Sequence, residues 1–92
     1  MARHDVLIMT HVMSSQVPKQ MLSMKGLVAG NIRTRRAELG LTQHQLAQRL
    51  GVDSQYVSRW ERAQVLPSQT NLAALSLALG CDLGDFYEQE AA

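Results

Sequence analysis

The chain has one cysteine, Cys81, among 92 residues, so no disulfide can form within it, and a reducing compartment, the cytoplasm, is expected. No apolar run approaches the roughly 20 residues needed to cross a bilayer. The opening MARHDVLIMTHVMSS is apolar only briefly, broken by Asp5 and His11, and lacks a clear small-residue cleavage site, so it is not read as a signal peptide. There is no glycine-rich phosphate cradle, no nucleophile–base–acid set and no carboxylate pair in a plausible cleft, and no catalytic residue is assigned. His4, His11 and His44 lack zinc-type spacing with a cysteine or carboxylate, so no metal or cofactor is expected. Cys81 reads as a small core residue. Internal repeats and low-complexity stretches are absent. Basic residues are absent too beyond Arg62, where Asp82, Asp85, Glu88 and Glu90 leave a net charge of −4. From Lys25 to Arg62, seven basic residues stand against three acidic ones, a net +4. Such a split suits one face turned to a polyanion and another turned away from it.

What is present fits one small domain. A domain of this size buries only about 60% of its unfolded surface and often gains from oligomerisation. The organising stretch is Gln43 to Arg62, QHQLAQRLGVDSQYVSRWER. Leu46, Ala47 and Leu50 form an apolar stripe at helical spacing, and Gly51 follows where a helix end favours a residue at ease with positive φ. Thr42 with Gln45 makes a capping-box start, and Asp53 is an N-cap for a second helix carrying Val57 and Trp60. Helix, glycine turn, helix at these offsets is a helix-turn-helix.

The segments RRAELGLTQHQLAQRLGV, VSRWER, LPS and LAALSLALGCDL, from about Ile32 to Tyr87, resemble the phage-repressor (Cro/Xre-type) DNA-binding family. The resemblance implies an all-α, compact five-helix, lambda-repressor-like DNA-binding domain over residues 27–92, preceded by an N-terminal extension, residues 1–26. The first helix is expected from Leu27 or Val28 to about Leu39, with Ile32, Arg36 and Leu39 on one face and Arg33 and Arg35 solvated. Helices over Gln43–Leu50 and Ser54–Arg62 follow. Pro67 and Ser68 introduce a fourth helix with Leu72, Leu75 and Leu79 inward, stopped by Gly80. Asp82 caps a last short helix whose Leu83, Phe86 and Tyr87 close the core.

On the third helix, advancing about 100° per residue gathers Gln55, Ser58, Arg59 and Arg62 within one arc of about 100°, with Val57 and Trp60 opposite. Gln can pair with adenine N6 and N7, and Arg with guanine O6 and N7, on a rod narrow enough for the major groove. The resemblance assigns base contacts to Ser54, Gln55, Ser58 and Arg59 and a phosphate contact to Gln43. Arg62, Gln64 and Ser68 are placed for further backbone contacts, which position without reading sequence; Tyr56, at the boundary of the face, is open between a phosphate contact and edge packing. Glu61 falls on the buried arc and needs a partner; Arg36 is the candidate, and the family has an Arg–Glu pair at these positions. Ala63 departs from the family's usual glycine after WER, which leaves the end of the third helix open.

The expected partners are double-stranded DNA, as a palindromic operator, and a second copy through helices four and five, where Leu77 is apolar. Residues 1–26 carry all five methionines and stay open between an arm, a strand pairing with a partner, and sequence upstream of a start at Met21 or Met24. The functional expectation is a transcription repressor. Within the family, an antitoxin meeting a small protein partner through residues 1–26, or the controller of a restriction system, is an alternative. Outside that class stands a protein-interaction module without DNA binding.

Overall fold

The computed structural model describes residues 24–89. Helix α1 occupies 24–38 of these, α2 Gln43–Leu50, α3 Ser54–Glu61 and α4 Gln69–Leu79, and a 3-10 helix, Leu83–Tyr87, completes the domain. There is no strand among the described residues, and residues 1–23, which hold most of the extension whose readings included a strand, lie outside them.

Local sequence sets the starts of the inner helices. Thr42 Oγ1 accepts the Gln45 amide at 3.0 Å while Gln45 Oε1 accepts the Thr42 amide at 2.8 Å, the full capping box. Asp53 Oδ1 accepts the Gln55 amide at 2.8 Å, and Ser68 Oγ accepts the Asn71 amide at 3.1 Å. Each such cap stabilises its helix by about 1 kcal/mol.

The four α-helices also end alike, with an amide reaching back five residues: Leu41 to the Arg36 carbonyl, Val52 to Ala47, Gln64 to Arg59 and Cys81 to Ser76. This closure needs a left-handed residue just before the donor. Gly40, Gly51 and Gly80 supply it at φ 70°, 71° and 68°, but after α3 the position is taken by Ala63 at φ 59°. The helix therefore ends as the family's glycine would end it, with an alanine held in a conformation that L-residues resist.

The core joins Val28 and Ile32 of α1, Leu46 and Ala47 of α2, Val57 and Trp60 of α3, Leu72, Leu75 and Leu79 of α4, and Phe86. Helix α4 turns these leucines inward, yet it bears no charged residue and leaves Leu77 86% exposed.

Several expectations need correction. The fifth helix is 3-10 rather than α: five residues containing Gly84 offer too few i→i+4 bonds to offset helix nucleation, and the backbone is extended again at Glu88. Of its three apolar residues only Phe86 enters the core; Leu83 and Tyr87 stay 44% and 39% exposed. Helix α1 already occupies residue 24 and stops at 38, so Leu39 is half exposed and Leu41, beyond the left-handed Gly40, packs on the core instead. Helix α3 ends at Glu61, with Arg62 as its cap. Arg33 and Arg35 are not simply solvated. The Arg33 guanidinium donates to the Glu61 carbonyl at 3.1 Å, and Arg35 lies 3.8 Å from the Asp85 carboxylate.

Candidate nucleic-acid interface

Helix α3 has a sharply divided surface. Val57, Trp60 and Glu61 are buried, while Gln55, Arg59 and Arg62 are exposed and Ser54 and Ser58 are half-buried. The inner residues fix the rotation of the helix, and that rotation presents the amide and guanidinium groups outward together. Gln64 and Ser68 are exposed on the segment that leads from α3 to α4. The Ser68 hydroxyl oxygen is engaged as the α4 cap, so its O–H is what it has left to donate. The Tyr56 ring lies at the edge of the outward face, 51% exposed, with its centroid 6.5 Å from that of Trp60 and tilted by 41°.

Behind this face, Glu61 organises three helices. Arg36 of α1 grips its carboxylate side-on, Nε to Oε2 at 2.6 Å and Nη2 to Oε1 at 2.9 Å, and also donates from Nη1 to the Leu41 carbonyl at 2.7 Å. The pairing keeps the Arg36 guanidinium above its ordinary pKa, through the hydrogen bonds to Glu61 and against the cost of its desolvation. Gln43, the first residue of α2, donates its side-chain amide to Glu61 Oε1 at 3.0 Å. The expected Arg36–Glu61 pair is thus present.

Gln43, expected at phosphate, is also tied inward. In the structure one of its N–H groups is committed inward, and the residue is half-buried. Two more tertiary contacts escaped the sequence reading. Arg33 holds the last carbonyl of α3. Asn31 Nδ2 donates to the carbonyls of Phe86 and Glu88, both at 2.8 Å, tying the C-terminal segment to α1. A polar residue between Val28 and Ile32 at the margin of the α1 stripe was the available signal, since a buried amide must find partners.

A short helix capped onto another through a left-handed turn, its inner side locked in a core and its outer side bearing Gln and Arg, defines a helix-turn-helix DNA-binding domain. The chain belongs to the helix-turn-helix family of the Cro/C1 type, whose pattern it matches over residues 32–86. It is 42% identical over 55 residues to the repressor protein C2 of Salmonella phage P22, an alignment covering 60% of this chain and 26% of that one. It is 43% identical over 61 residues to the E. coli HTH-type transcriptional regulator DicA, covering 65% of this chain and 45% of DicA. The chain therefore spans about a quarter of the first relative and under half of the second. Among solved structures, the DNA-binding domain of the P22 C2 repressor superposes with a TM-score of 0.65 at 34% identity, over 71% of this chain and 86% of that one. A hypothetical transcription factor from Neisseria superposes with a TM-score of 0.69 at 28% identity, over 73% and 77% of the two chains.

Proposed function

We propose that this protein is a sequence-specific, double-stranded DNA-binding transcription regulator that represses by occupying its operator. The carrying observation is the exposed Gln55–Arg59 pair on a helix whose opposite side is locked by Val57 and Trp60. Laid in the major groove, α3 offers Ser54, Gln55, Ser58 and Arg59 to base edges. Gln43, Arg62, Gln64 and Ser68 flank it toward the phosphates, Gln43 through the N–H that Glu61 leaves unused, and Tyr56 stands at the boundary between strand and base edges. The net +4 of residues 25–62 favours that approach.

The active form in this reading is a homodimer that places two α3 helices about 34 Å apart, one turn of DNA. The uncharged α4, with Leu77 exposed to solvent, and the adjoining 3-10 helix supply the dimer surface. No described helix is long and apolar enough to cross a membrane, in keeping with a cytoplasmic role.

Selection of bound sites from a randomised duplex pool tests this. Enrichment of a palindrome with half-sites one turn apart is expected, and Gln55→Ala with Arg59→Ala should abolish the preference while leaving the fold intact by circular dichroism. Unchanged site preference in that double variant would refute the assignment.

A further inference from the structure

Tyr56 and Arg59 form a wall shared by two grooves. The smaller, about 240 Å³, is completed by Asp53 and Gln55 and is polar. The larger, about 570 Å³, runs between α3 and the segment leading to α4 and is lined besides by Trp60, Val65 and Leu66 and by the polar Gln64, Ser68 and Asn71. Tyr56, Val65 and Leu66 are 51%, 44% and 37% exposed, so three apolar side chains face solvent beside a charged reading face. The Arg59 guanidinium makes no ion pair or hydrogen bond among the described residues. The groove is thus continuous with the surface assigned to DNA, cationic at that junction, with Tyr56, Val65 and Leu66 forming an apolar part beside the polar Gln64, Ser68 and Asn71.

We propose that this groove reads thymine: Tyr56, with Leu66 in the same groove, packs on the C5-methyl group of a thymine neighbouring the base that Arg59 contacts. The inference rests on the DNA-binding assignment and adds a specificity-determining residue to it. In the major groove the thymine methyl is the apolar group among base-edge donors and acceptors, so an apolar wall there discriminates for it. Position favours the same reading. Tyr56 lies in the first turn of α3 and three residues before Arg59, which places the two side chains next to one another. The Trp60 ring behind Tyr56 limits its freedom, so little order is lost when the methyl group arrives.

The test replaces each thymine of the selected operator, one at a time, by deoxyuridine, which removes the methyl and keeps the base pair. One position per half-site should weaken wild-type binding roughly four-fold, the value of burying one methyl group. Tyr56→Ala should bind the thymine operator more weakly, be indifferent to uracil at that position, and keep the guanine preference supplied by Arg59. Leu66→Ala, a milder change at the same wall, should shrink the thymine–uracil difference. If no uracil weakens binding, Tyr56 meets no methyl group, and if the penalty persists in Tyr56→Ala, another side chain reads it; either result overturns the proposal. A pool that yields no enriched site would instead remove the DNA-binding assignment itself, before any uracil is introduced.

Discussion

Replacing Ala63 by glycine should stabilise this protein. Ala63 sits at φ 59° in the closing turn of α3, with its amide on the Trp60 carbonyl at 3.1 Å and the Gln64 amide on the Arg59 carbonyl at 2.9 Å. A left-handed conformation costs an L-residue roughly 1–2 kcal/mol. Glycine removes that cost but returns about 0.4–1 kcal/mol of freedom to the unfolded chain. The difference favours glycine by about 0.8 kcal/mol, using the midpoints of the two ranges. For a domain of this size, that raises the melting temperature by about 3–6 °C. Thermal melts followed by circular dichroism would measure it, and urea titration should show a higher midpoint at unchanged slope. Ala63→Val serves as the opposite control, because a β-branched residue tolerates positive φ less well than alanine. A fall in stability on glycine substitution, or a valine variant as stable as the wild type, would refute the reasoning. The first result would mean that contacts of the Ala63 methyl outweigh its backbone strain, and the second that positive φ carries no such strain here.

Two further predictions concern titratable groups. Arg36→Met should cost about 3–5 kcal/mol in urea unfolding, since it strands the buried Glu61 carboxylate, 4% exposed, with Gln43 as its remaining side-chain partner. Adding Glu61→Leu to that variant should recover part of the loss, because the orphaned charge is then gone; a double variant less stable than the single would contradict this. Burial raises the pKa of the Cys81 thiol, with the neighbouring Asp85 and Asp82 carboxylates adding to the shift and Arg35 opposing it. Its contribution to stability is present below the ordinary thiol range and is lost as pH rises through the folded value. Iodoacetamide should therefore label Cys81 more slowly in the folded protein than in urea at pH 8, and equal rates would count against the shift.

Much of the fold was legible where the information is local. Thr42 with Gln45, Gly51, Asp53, Ser68 and Gly80 mark helix ends through bonds spanning a few residues, and α2 and α4 lie where those marks place them. The inward sets Val57–Trp60 and Leu72–Leu75–Leu79 follow from helical spacing, so the outward arc of α3 was fixed with them. Legibility failed where a residue's fate depends on a distant partner. Leu39 has the spacing of a core residue, but the chain reverses at Gly40 before it can point inward. The Gln43 amide and the Arg33 guanidinium both reach Glu61, 18 and 28 residues away, and no local pattern reports this. Glu61 itself was readable because burial of a carboxylate demands a counter-charge, whereas an amide or an exposed arginine makes no such demand.

The convergence on Glu61 bears on how the protein meets its target. Arg36 from the first helix and Gln43 from the second close on one carboxylate of the third, while Arg33 holds that residue's carbonyl. The two helices of the motif are thereby fastened to each other and to α1 by more than the turn at Gly51, and should open as one cooperative unit in hydrogen exchange. In the proposed DNA-binding role, a helix held in this way keeps its backbone order on contact. Only the exposed Gln55, Arg59 and Arg62 side chains then have freedom to lose, so discrimination would fall to the fit of the face rather than to the work of assembling the helix.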